Sequence, residues 1–225
     1  MPSVHSLSGG RRLEVGRAAF LLDGADLRYV TLDGIELVRR VHAAVRDAAW
    51  GTIEADTTDV EVHESADGVE VRAEARHSSA LAELSWIVRA RVEASGALSY
   101  AVELSPDAPF AYARMGLCLL LAPAGVVGRR YTAQTPQGEV SGTFSAAIGP
   151  QRIEDREIKP LFPSFAALRI DGRPGNVALD CRFEGDLFEM EDQRNWSDGS
   201  FKVYGTPLSR PRPQHAEPGR PIRQR

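Results

Sequence analysis

Strict alternation of apolar and polar residues through the middle third constrains this chain more than any other feature. Val60 and Val62, then Val69, Val71, Ala73 and Ala75, alternate with charged neighbours. Only a strand places such a set on one face, because successive side chains of a pleated backbone point to opposite sides. Ala66-Asp67-Gly68 between the two runs supplies hairpin turn chemistry. A long partner is predicted from Ala80 to Glu93 and, after the break at Ser95-Gly96, another from Ala97 to Leu104. Short connections of this kind join antiparallel neighbours. Asp23-Gly24 and Asp33-Gly34 bracket a further strand, Leu27 to Leu32. Ile35, Val38, Val41 and Val45 recur at helical spacing, but their β-branching favours a strand there too. Met115 to Ala122 is apolar without a break, as in a strand buried on both faces. The fold class predicted is all-β, an antiparallel β-sandwich with few or no helices.

Toward the C-terminus, strand patterning returns in Asn176 to Glu184 and Leu187 to Glu191, around Gly185-Asp186, and again in Ser200 to Tyr204. The charged, proline-punctuated stretch from Gly149 to Pro163 reads as a long loop across one end. A chain of 225 residues can bury one core. We therefore expect one sandwich domain over 1–206 and a Pro/Arg-rich tail or linker over 207–225. That tail reads equally as a frayed end or as a connection to a further domain.

Several function classes lack their signatures. The net charge is −4 and the basic residues are scattered, so no phosphate-tracking stripe marks a nucleic-acid partner. No apolar core follows the polar N-terminus, which points to the cytoplasm. The longest apolar run, Leu117 to Ala122, is cut by Pro123, far short of the roughly 20 residues of a membrane span. Cys118 and Cys181 sit in apolar segments and read as buried thiols. His5, His42, His63, His77 and His215 are isolated and read as surface residues. Neither a metal nor a cofactor is expected. Gly-x-Ser-x-Gly, Walker and dinucleotide fingerprints are absent from the sequence. Trp50, after Arg46 and Asp47, reads as a core aromatic at a strand start.

Chemistry-bearing residue types concentrate between Phe188 and Tyr204. As a strand, Leu187 to Glu191 projects Glu189 and Glu191 together while Phe188 and Met190 pack behind. The return strand sets Ser200, Lys202 and Tyr204 on one face, so a hairpin brings Lys202 opposite the carboxylates. Paired carboxylates near a cation suit proton transfer, so Glu189, Glu191 and Lys202 are the candidate catalytic residues. Asp192, Arg194, Asn195, Trp196 and Asp198 are candidates for substrate binding: Arg194 offers a fork for a carboxylate and Trp196 a surface for a sugar face. The same polar groups could instead serve only to hold the loop to its own backbone.

The run Glu189-Met190-Glu191-Asp192-Gln193-Arg194-Asn195-Trp196-Ser197-Asp198-Gly199-Ser200-Phe201-Lys202-Val203-Tyr204 resembles the hallmark segment of the D-apionate lactonase family. Ile35 to Arg40 leading to Ala44 to Asp47 and Trp50-Gly51-Thr52, together with Ala113 to Cys118, extend the resemblance over nearly the whole chain. Small departures occur at Gly199 and Gly205. The resemblance implies a bacterial catabolic hydrolase that opens a five-membered sugar lactone with water. It also implies a longer protein, in which a barrel-like region follows the β-rich part. A chain with only the β-rich part is then a split, truncated or stand-alone version, and its partners are a sugar lactone or sugar acid and, where split, a separately encoded barrel domain. Glu189 or Glu191 as base, with Arg194 or Lys202 as electrostatic partner, is the assignment if the domain acts alone. Two other readings stand beside it: a non-catalytic carbohydrate-binding or scaffold module, and a mutarotase-like sugar epimerase.

Overall fold

A computed structural model describes residues 10–149, 160–173 and 176–225. In chain order the strands are β1 (Arg11–Val15), β2 (Ala18–Asp23), β3 (Asp26–Leu32), β4 (Ile35–Asp47), β5 (Asp56–Glu64), β6 (Gly68–Ser78), β7 (Glu83–Glu93), β8 (Leu98–Pro106) and β9 (Phe110–Leu121). They continue as β10 (Arg130–Thr135), β11 (Gly138–Thr143), β12 (Ala167–Arg173), β13 (Val177–Arg182), β14 (Glu189–Asp192), β15 (Phe201–Tyr204), β16 (Gln214–Ala216) and β17 (Ile222–Gln224). Short 3₁₀ turns lie at Pro123–Gly125 and Gln193–Trp196.

An eight-stranded sheet runs β1-β2-β3-β4-β9-β15-β14, with β16 joined to β9. The chain leaves it after β4, builds the meander β5 to β8 as a second sheet closed by β17, and returns as β9. A third sheet runs β11-β10-β12-β13. All pairings are antiparallel, and the arrangement is the predicted sandwich. The alternating set of β6, Val69, Val71, Ala73 and Ala75, lies between 0% and 3% exposed. Val60 on β5 is exposed, because β5 is an edge strand with less to pack against. Residues 35–45 form part of β4, so branching prevailed over helical spacing. β9, flanked by β4 and β15, is buried along most of its length, as its unbroken apolar run predicts. An aromatic cluster ties the third sheet to β14 and β15: Tyr131 stacks on Phe162 at 4.5 Å, Phe183 on Phe188 at 4.5 Å, and Phe144 meets Phe201 at 5.6 Å.

Three features differ from the sequence reading. Residues 207–225, expected as a tail or linker, contribute β16 and β17, paired to β9 and β8. Strands of three residues amid prolines show no alternation, and their anchors are distant in sequence. Gln224, 4% exposed, accepts a hydrogen bond from the Leu117 backbone N–H at 2.7 Å. The space for it exists because Gly116 (φ +146°) lacks a Cβ, which would stand 2.2 Å from the Gln224 Oε1. The histidines also differ: His77 is 2% exposed and His42 is only partly exposed, whereas His63 and His215 lie at the surface. Both residues sit in strands that face other elements, which isolation along the chain does not reveal. Finally, the strand patterning on either side of Gly185-Asp186 is divided between two sheets, β13 in the third and β14 in the first. His5 and most of the loop expected over Gly149 to Pro163 lie outside the described residues.

Candidate functional site

The β14–β15 hairpin pairs Glu189 with Tyr204 and Glu191 with Lys202. β15 continues the rows onto β9 and β4, so Tyr204 neighbours Cys118 and then His42, while Lys202 neighbours Leu120 and then Arg40. Alternation leaves Met190, Val203, Leu119 and Val41 on the opposite, apolar face. One sheet face thus carries Glu189, Glu191, Lys202, Tyr204 and, from β9, Arg114. The pairing of Lys202 with a glutamate follows the prediction from the sequence.

Glu191 is 6% exposed, and its Oε1 gathers the contacts. Lys202 forms an ion pair with it, Gln193 Nε2 donates to it at 2.5 Å, and Arg114 Nη1 stands 3.8 Å away. Lys202 also donates to Gln193 Oε1 at 3.1 Å. The Arg114 guanidinium lies 3.4 Å from the centre of the Tyr204 ring, so the cation is held by an aromatic face as well as by the carboxylate. Glu189 is 2% exposed and saturated differently. Ser164 Oγ donates to its Oε1 at 3.0 Å, and its Oε2 accepts from Tyr204 Oη at 3.2 Å and from the Leu208 backbone N–H at 2.7 Å. These bonds offset the cost of burying a carboxylate. Burial raises the Tyr204 phenol well above its ordinary value, so Tyr204 stays a donor to Glu189. Burial likewise raises Cys118 to about 11, against the lowering influence of Lys202 and Arg114.

The expected binding residues do not converge on this cluster. Asp192 alternates to the opposite face from Glu189 and Glu191 and is gripped by Arg194, whose Nε and Nη2 donate at 2.8 and 2.6 Å. Asp192 also caps the 3₁₀ turn by accepting from the Arg194 backbone N–H at 3.1 Å. Arg194 also donates from Nη1 and Nη2 to the carbonyls of Ala146 and Ser145, each at 3.1 Å, and stacks over Phe201 at 4.9 Å. Asn195 donates to the Asp192 carbonyl at 3.2 Å. Asp198 accepts from Ser200 Oγ at 3.1 Å. These contacts fix the loop to itself and to residues 145–146. Trp196 is exposed at 49%, consistent with a free aromatic face.

Four residues that complete the carboxylate cluster, Arg114, Tyr204, Ser164 and Gln193, were not among the candidates from the sequence. Arg114 could have been suspected as a lone cation in the apolar β9 run; Ser164 carries no local signal. Trp50 is a correction, since it is 43% exposed and not a core aromatic. Asp47 holds a tight turn by accepting from the Ala49 and Gly51 backbone N–H groups, both at 2.8 Å, with Trp50 at φ +71°. A bulky residue in the left-handed region is uncommon. Its ring lies 5.2 Å from the Arg114 guanidinium and 5.6 Å from that of Arg212. Among the described residues no group of three or more His, Cys, Asp or Glu side chains is placed to hold a metal ion.

Comparison with known proteins gives two findings. The family model for the D-apionate lactonase N-terminal domain matches residues 4–225. D-apionate lactonase of Brucella anthropi is 35% identical over 214 residues, which is 95% of this chain and 34% of that protein. The chain therefore spans about a third of the length of this curated relative.

Proposed function

The chain belongs to the D-apionate lactonase N-terminal domain family, and from that premise we propose that it is the β-sandwich part of a sugar-acid lactone hydrolase of carbohydrate catabolism. The rest of the enzyme, about two thirds of such a relative by length, supplies the remainder of the site, as a barrel domain on the same or a separate chain. A cytoplasmic location suits this metabolic role.

Glu191 carries the reading. Lactone opening needs a base to activate water and positive charge near the developing oxyanion. Glu191 is the carboxylate on which a lysine, an arginine and an amide converge, and their described contacts all fall on Oε1. In our reading Oε2 takes the proton from water, and Lys202, with Arg114 behind it, faces the oxyanion. Glu189, with three donors on its two oxygens, is a positioning residue that locks Tyr204, and through Tyr204 the Arg114 guanidinium. Asp192 and Arg194 hold the loop, and Trp196 is left to stack on the sugar.

The close confinement of both carboxylates favours a second reading, a non-catalytic module whose buried charges only shape the face presented to the barrel region. Acid release from the lactone of D-apionate separates the two. It is measured for the purified chain and for the Brucella anthropi enzyme carrying this chain in place of its matched region. Turnover in either form that collapses in Glu191→Gln supports the first reading. Full turnover in the folded Gln variant leaves only the module.

A further inference from the structure

Trp50 bears a strained backbone and gains little burial from it. Its φ of +71° lies in the left-handed region, which a bulky side chain occupies at a steric cost, and its ring is 43% exposed. Glycine adopts that conformation without strain. The turn itself is fixed without the ring. The Asp47 carboxylate accepts from the Ala49 and Gly51 backbone N–H groups at 2.8 Å each, and the Trp50 N–H donates to the Asp47 carbonyl at 3.0 Å. A Cβ on Gly51 would stand 2.5 Å from Asp47 Oδ2. Neither core packing nor turn formation accounts for a tryptophan here, which leaves what the ring touches.

It touches two guanidinium groups. Those of Arg114 and Arg212 lie 5.2 and 5.6 Å from its centre, within cation–π reach. Arg212 Nη1 donates to the Leu208 carbonyl at 2.9 Å, and the Leu208 N–H donates to Glu189 Oε2 at 2.7 Å. The same Oε2 accepts from Tyr204 Oη, and the Tyr204 ring lies against Arg114 at 3.4 Å. Trp50, Arg114, Tyr204, Glu189, Leu208 and Arg212 thus form a closed circuit of contacts, with Trp50 and Arg212 at its exposed end. Arg114 is the member most in need of support. It is 7% exposed, its Nε has no hydrogen-bond partner, and its Nη1 stands 3.8 Å from Glu191 Oε1, too far for a hydrogen bond. Lys202, by contrast, is held by its ion pair with Glu191 and by Gln193 Oε1 at 3.1 Å. A planar guanidinium with a loose ion pair takes its orientation from the aromatic faces it stacks on, here those of Tyr204 and Trp50.

We propose that Trp50 is a positioning residue, whose ring orients the Arg114 guanidinium toward Glu191 without itself touching the reacting atoms. The inference rests on the reading of Glu191 and Lys202 as the reacting groups with Arg114 behind them, and two measurements keep its failure apart from the failure of that reading. In the full chain, arginine Nε–H resonances are followed by ¹H–¹⁵N NMR. That of Arg114 is identified by its contacts with the Tyr204 ring protons and by its loss in Arg114→Lys. In Trp50→Gly its exchange with water is expected to quicken by about tenfold, the loss of one stacking contact, and Trp50→Phe should retain most of the protection. In the Brucella anthropi enzyme carrying this chain in place of its matched region, Trp50→Gly should lower kcat by about tenfold with KM little changed, and Trp50→Phe should restore most of it. Trp50→Asn, which the left-handed region also tolerates, decides if the glycine variant fails to fold. Exchange at Arg114 unaffected by loss of the ring overturns the proposal, whether or not the enzyme turns over. So does an unchanged kcat in Trp50→Gly where Glu191→Gln disables the same enzyme. If Glu191→Gln leaves kcat unchanged, the reading of the site fails and the Arg114 resonance alone decides the role of Trp50.

Discussion

Replacing Glu191 with glutamine removes the shared carboxylate of two cations that have little access to water. The side chains of Glu191, Arg114 and Lys202 are 7%, 8% and 17% exposed. Removing one partner of a buried ion pair typically costs ~3–5 kcal/mol, mostly because the other charge stays buried. Lys202 keeps Gln193 Oε1, and Arg114 keeps the Tyr204 ring, which places the expectation at the lower end, about 3 kcal/mol. For a chain of this size that corresponds to a fall in Tm of about 6–12 °C. Calorimetric unfolding of Glu191→Gln, Lys202→Met and the double variant closes the cycle. The double variant should be more stable than the sum of the singles predicts by at least about 1 kcal/mol, since it removes both charges together. A Tm change under about 1 °C in Glu191→Gln, or strict additivity, would refute the picture of a tightly coupled buried cluster. Activity comparisons therefore belong well below the Tm of the variant.

Other expectations follow from individual contacts. His42, ordinarily near 6.5 and lowered to about 3 in the fold, favours the folded state above its unfolded value and loses that contribution as pH falls. Between about pH 6 and 4 it should cost about 1 kcal/mol per pH unit, and His42→Gln should flatten that limb in denaturant titrations; an unchanged slope would refute it. Cys118, buried and raised to about 11, should resist a disulfide reagent at pH 8 until unfolding, while the partly exposed Cys181 reacts first; equal rates for both would contradict this burial. Gln224→Ala leaves the Leu117 N–H without its partner and should cost about 1–3 kcal/mol, with faster hydrogen exchange at Leu117. A neutral effect on both would show that β17 is not held through this bond.

What could be read ahead of the structure was what repeats locally. The alternating set of β6, the apolar run of β9 and the Glu189, Glu191, Lys202 arrangement all depend on the pleat, which is a property of neighbours in sequence. β17 depends on Gly116 and Gly185, some forty to a hundred residues away, where a Cβ would meet Gln224 Oε1 at 2.2 Å and the Arg223 carbonyl at 1.9 Å. No periodicity encodes such a fit. The same holds for the site: the hairpin was legible, but Ser164 and Arg114 reach it through tertiary packing. Arg194 shows the opposite case, a residue with binding chemistry whose donors are taken up by Asp192, Ser145 and Ala146. Trp50 is exposed where a core aromatic is expected, because an aromatic in a left-handed turn is unusual and sequence gives no sign of it.

The most direct test of the proposed role of Glu191 is the kcat for lactone opening by the Brucella anthropi enzyme carrying this chain in place of its matched region, with Glu191 intact and with Glu191→Gln. We expect kcat to fall by about a hundredfold or more while KM changes little, as for loss of a base that acts in the transition state. An unchanged kcat in the folded Gln variant would contradict the account and leave the buried charges a purely structural part.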